Sequence, residues 1–151
     1  MKAKLTKSLT LKTLLPQIKK EFTKHENAEK IETAIKKHIN SGKSPVRGYA
    51  FKPYSKSYKK VKGKGSPVDM LVTGDMLMSL FIEKTRKGSF RIGFGDKKAD
   101  YHNRLGASKK KVIRRLLPTK RGERFAYPLQ KLIERIINKS ISKIVKRTNK
   151  K

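Results

Sequence analysis

The sequence predicts an α+β fold: a small antiparallel β-sheet built on one hairpin at about residues 80–95, flanked by N-terminal helices and a long C-terminal helix. Three observations carry it. Leu80 and Ile82 alternate with Phe81 and Glu83, and Phe90, Ile92 and Phe94 alternate with Arg91 and Gly93, with Lys87-Gly88-Ser89 as turn chemistry between them. Leu129, Leu132, Ile133, Ile136, Ile137, Ile141, Ile144 and Val145 recur at helical spacing. Two shorter helical stripes precede the hairpin.

Residues 1–42 hold those two stripes, and they do not share a face. Leu11, Leu14, Leu15, Ile18 and Phe22 form the first, and Ala28, Ile31, Ile35 and Ile39 the second. Continuing the first would bury His25 and Glu29, so a break or a change of packing partner is expected near Lys24 to Asn27. Asn40, Ser41 and Gly42 end the second helix, with Gly42 as a left-handed cap.

Residues 43–64 read as a long, basic, extended loop or arm. The stretch has no acidic residue and is broken by Pro45, Gly48, Pro53 and Gly63. Tyr49, Phe51, Tyr54 and Tyr58 are interleaved with Arg47, Lys52, Lys56, Lys59 and Lys60. Such a composition suits phosphates with stacked unpaired bases. It equally suits an arm laid across an acidic neighbouring subunit, or a solvated loop without a partner. Because the helix and hairpin signals lie outside it, the core is expected to fold without the arm.

Residues 66–118 form the hairpin core. Thr73 or Asp75 is expected to cap a short helical turn carrying Met76, Leu77 and Leu80. Met70, Met76 and Met78 read as core filling. After the hairpin, residues 96–105 suit a short helix or turn ending at Gly106, and residues 112–117 (VIRRLL) suit a strand closed by Pro118. A polar loop, residues 119–123, leads to the last helix at 127–147, where Pro128 fits an early position. The tail from Lys146 onward is expected to fray.

At 151 residues this is enough for one domain, residues 1–151, with a modest core: hydrophobic residues are 35% of the chain. The charge is extreme. Lys and Arg number 41 against 11 Asp and Glu, a formal +30, and self-repulsion at that density favours an anionic partner or assembly with less basic neighbours. Without cysteine there are neither disulfides nor thiolate metal ligands. No apolar run reaches the ~18 residues of a membrane span, and Lys interrupts the N-terminal leucines where a signal peptide would be continuous, so a soluble, intracellular product is expected.

The sequence points away from catalysis. His25, His38 and His102 are far apart, no ligand pair has metal spacing, and Asp96, Asp100 and His102 could cluster but read as structural or solvated, with no nucleophile in view. Gly93-Phe94-Gly95 is not a phosphate loop. No catalytic, cofactor-binding or metal-binding residue is assigned, and no cofactor is expected.

From SPV and YSKSYKK through KGKGSPVDM, then LVTGDMLMSL, IGF, ADYHNRLG and RRLLP, the order and spacing of the pieces resemble the virion morphogenesis or tail-completion family of tailed bacteriophages, the neck proteins of the head–tail connector. The resemblance covers residues 44–118, about half the chain. It implies a small α+β subunit that is not an enzyme and assembles into a ring, commonly six-fold, between portal or adaptor and tail proteins in the virion, after synthesis in the host cytoplasm. Carried onto this chain, it makes Thr73, Gly74, Met76 and Leu77, and Tyr101, His102 and Gly106, structural motifs that shape the sheet and its subunit contact. It gives His102 no catalytic role. The arm would then reach a neighbouring subunit or packaged DNA, with no membrane contact. A second class, an RNA-binding basic protein of ribosomal or nucleoid type, fits the charge as well. A phosphate-processing enzyme is a distant third for want of a carboxylate cluster.

Overall fold

The computed structural model describes residues 11–62, 74–105 and 112–149. Thr73, Gly106, Met70 and the end of the expected arm lie outside them. Helices α1 (Leu11–Phe22) and α2 (His25–Asn40) are followed by α3 (Lys56–Lys62) and a single turn, α4 (Asp75–Met78). Strands β1 (Leu80–Lys84) and β2 (Phe90–Phe94) come next, then α5 (Lys98–Asp100), which runs into a π-helical turn at Tyr101–Leu105. The long helix α6 (Tyr127–Thr148) closes the described chain.

The break between α1 and α2 has a side-chain cause. Lys24 is extended, and the buried Asn27 donates from Nδ2 to the carbonyls of Glu21 (3.1 Å) and Phe22 (3.0 Å). Two end-of-helix acceptors that α1 cannot satisfy are thereby satisfied by the next helix. α1 packs on α6, and the nearly buried Glu21 carboxylate sits among Lys143 (2.6 Å), Lys24 (3.0 Å) and Arg147 (3.8 Å). Gly42 has φ 77°, the left-handed cap the sequence suggests.

β1 and β2 pair antiparallel, with Leu80 opposite Phe94 and Ile82 opposite Ile92. Gly88 takes φ 72° in the turn. Gly93 serves a different need: a Cβ there would come within 2.5 Å of the Phe81 ring tip, so the missing side chain lets Phe81 lie across the strand, under the Arg91 guanidinium. The core is small. Ile31, Ile35 and Ile39 of α2 meet Met76, Leu77 and Leu80, Leu116 and Leu117, and Leu129 and Ile136 of α6.

Several expectations change. The arm is not wholly extended. Pro45 and Val46 are fully buried, Val46 forms an antiparallel bridge with Phe125, and Lys56–Lys62 is helical. The N-cap of the turn before β1 is Gly74 at φ 84°, and Asp75 is its first helical residue and not its cap; the Thr73 alternative lies outside the described residues. The stretch around 112–117 is no strand; the N–H groups of Leu116 and Leu117 go to the Asn103 side chain instead of a ladder. Met76 fills the core but Met78 is 76% exposed. The stripe of α6 is divided. Leu129, Ile136 and Ile144 are buried, while Ile137, Ile141 and Val145 stay more than a third exposed, because the helices cover one side only. The helix also runs on through Lys146 and Arg147 to Thr148.

Candidate functional site

A buried polar hub joins the segments that carry the resemblance to each other and to the arm. Asn103, in the π-turn, is 6% exposed. Its Oδ1 accepts the N–H of Leu116 (2.7 Å) and of Leu117 (3.1 Å), and its carbonyl accepts Arg115 Nη1 (2.8 Å). The Arg115 side chain, 6% exposed, also donates to Thr119 Oγ1 (3.2 Å). Its Nε lies 3.6 Å from Glu123 Oε1, an ionic contact longer than a hydrogen bond. Burying this guanidinium is tolerable only because carbonyl, hydroxyl and carboxylate oxygens surround it.

Glu123 folds its own loop. Its Oε2 accepts the N–H groups of Thr119 (2.8 Å) and Lys120 (3.0 Å), and Oε1 accepts the Tyr49 hydroxyl (3.2 Å). The Lys120 N–H, the Thr119 N–H, Arg115 and Tyr49 together hold its carboxyl below the usual carboxylate range, against the opposing effect of burial. Gly122 turns the chain at φ 90°.

Both arginines of the RRLLP segment are used to hold the arm. Arg115's carbonyl accepts Ser44 Oγ (2.7 Å), and its guanidinium lies 5.4 Å from the Tyr49 ring centre. Arg114 donates from Nε to the Lys52 carbonyl (3.1 Å) and from Nη2 to that of Pro53 (3.4 Å), and covers Tyr54 at 5.2 Å. Tyr54 in turn lies 4.7 Å from Tyr58. Phe51 packs against the core. Phe51, Tyr54 and Tyr58 therefore meet the core, a cation or each other, and Tyr49, though 45% exposed, carries Arg115 near its ring. Arg47, Lys52, Lys56, Lys59 and Lys60 remain exposed.

Of the motif residues, Met76 and Leu77 are core, and Gly74 supplies a positive φ. Tyr101 is 55% exposed. His102 is half-buried, and burial first, then Arg114, lowers its pKa, so the ring is neutral at pH 7. Its carbonyl accepts the Arg114 N–H at 2.7 Å. Among the described residues no three His, Asp or Glu side chains are placed to hold a metal ion, and no helix is long and apolar enough to cross a membrane.

Sequence reasoning missed Ser44, Glu123 and the basic turn Lys120-Arg121-Gly122-Glu123-Arg124. The signal was a glycine inside a run of charges, a turn whose one carboxylate has backbone N–H groups within reach. No protein-family model matches this chain, and neither a curated protein nor a solved structure does.

Proposed function

We propose that the chain is a structural virion protein of a tailed bacteriophage, a neck, connector or tail-completion component that forms a ring at the head–tail junction and works by contact, not by catalysis. One observation supports this reading above the rest. The two segments that resemble the family's motifs each turn large apolar side chains into solvent: Met78 is 76% exposed, Tyr101 55% and Leu105 61%, while Met76, Leu77 and Asn103 beside them are buried. Apolar side chains offered at the ends of otherwise core-forming segments suit a contact that a second copy completes, and a ring needs such a head-to-tail contact. Six copies, seated between portal or adaptor and tail proteins, is the arrangement the resemblance favours, with packaged DNA as a further neighbour.

The test is the oligomeric state of the full chain after nuclease treatment in 0.5 M salt (about a 4–5 Å screening length), by light scattering and negative-stain imaging. A discrete ring is expected, and M78S/Y101S/L105S should leave a monomer with an unchanged melting temperature. A chain that stays monomeric at high concentration and binds folded RNA tightly at physiological salt would move the assignment to the ribosomal or nucleoid class.

A further inference from the structure

We infer that the turn at 120–124, together with Arg47, is a docking site for the phosphate backbone of double-stranded DNA. An open concavity of about 540 Å³ is lined by Arg47, Lys120, Arg121 and Arg124 together with Tyr49, Gly122 and Glu123. All four cations are exposed. None has an ion-pair partner among the described residues, whereas Arg115 beneath them does. Their placement works against stability. The Val46–Phe125 bridge and the hydrogen bond from the Arg47 N–H to the Arg124 carbonyl (2.8 Å) set Arg47 opposite Arg124 in one antiparallel register. Like charges directly across such a pair repel, and an anion between them reverses the sign of that interaction.

The backbone of the site is rigid. The turn closes through the Glu123 N–H to the Lys120 carbonyl (3.1 Å) and through the Glu123 carboxylate to two N–H groups, so the cations stand on a fixed frame. The carboxylate itself is engaged by those N–H groups, Tyr49 and Arg115, and does not oppose an incoming phosphate as a free charge.

The chemistry favours a duplex backbone over two other anions. A protein partner would be expected to find an apolar centre with a polar rim, and this lining instead sets four cations around one tyrosine, one glycine and one engaged carboxylate. A single strand would need aromatic faces for its bases, yet Tyr49 has its hydroxyl on Glu123 and Arg115 over its ring. Closely spaced cations without base-reading groups suit sequence-independent phosphate contact. The site does not depend on ring formation.

The probe is a 24-base-pair duplex of arbitrary sequence, titrated with the full chain by fluorescence anisotropy at several salt concentrations; each phosphate contact contributes about 0.9 to the slope of log K against log salt. K120Q/R121Q/R124Q should lower that slope by about 2 to 3 and weaken binding at least tenfold at about 0.15 M salt. K84Q/R86Q/K87Q removes the same charge from the hairpin turn and should change the affinity less than twofold. R121E alone, at an exposed turn position, repeats the test should the triple variant be unstable. Equal losses in both triple variants, no change in either, or tighter binding to a single strand of the same length would each overturn the assignment. Light scattering on the same samples reads assembly separately, so failure here is distinguishable from failure of the ring.

Discussion

Replacing Asn103 by Leu removes the acceptor on which the hub is built while keeping the number and branching of side-chain heavy atoms. The Leu116 and Leu117 N–H groups then lose Oδ1, their partner at 2.7 and 3.1 Å. Water cannot readily replace it, because Leu116 is 0% and Leu117 8% exposed. An orphaned buried donor costs about 1–3 kcal/mol, so two cost about 4 kcal/mol, a large part of the roughly 5–15 kcal/mol that holds a domain together. Urea unfolding followed by far-ultraviolet circular dichroism should show that loss, and thermal melting a fall of roughly 8–16 °C, at about 2–4 °C per kcal/mol for a chain of this size. Asn103→Asp keeps the Oδ1 acceptor for both N–H groups, with Arg115 on the same residue's carbonyl, so it should retain most of the stability. If N103L stays within about 1 kcal/mol of the parent, or N103D falls as far as N103L, the two hydrogen bonds are not what holds this turn.

Other predictions concern separate parts of the molecule. Glu21's hydrogen bond to Lys143, foremost among its cation contacts, lowers its pKa below the ordinary 4.5, so the unfolded chain binds its proton first. Its contribution is therefore present above pH 4.5 and disappears as pH falls through the folded-state value; urea midpoints between pH 3 and 7 should show a shallower acid loss in E21Q. Gly93→Ala places a Cβ 2.5 Å from the Phe81 ring and should cost about 1–3 kcal/mol of overpacking, much of it relieved in an F81A background. Replacing Lys56–Lys62 by seven Gly and Ser residues should leave the urea midpoint nearly unchanged. Val46→Asp, at a position 1% exposed, should cost about 3 kcal/mol or more in the same assay and separates the anchored from the projecting half of the arm.

The contrast between those last two variants shows where sequence reading stops. The expectation that the core folds without residues 43–64 took no account of long-range ties: Ser44, Val46 and the carbonyls of Lys52 and Pro53 meet residues 61 to 79 positions further along the chain. No local pattern reports such a tie, because a buried serine and an arginine stacked on a tyrosine look, in sequence, like any polar loop.

What the chain determines by itself is whatever a repeat of 2 or 3.6 residues can encode. The hairpin of Leu80–Lys84 and Phe90–Phe94, the second stripe with its Gly42 cap, and α6 behind Pro128 were all legible, since each compares neighbours with neighbours. Tertiary structure alone decided the rest. It turned 112–117 from an expected strand into an irregular segment whose Leu116 and Leu117 N–H groups go to one asparagine, divided the isoleucines of α6 between core and solvent, and set Arg47 across from Arg124. The physical reason is common to all three: each depends on which distant group satisfies or covers a residue, and that partner is known only once the chain has closed on itself.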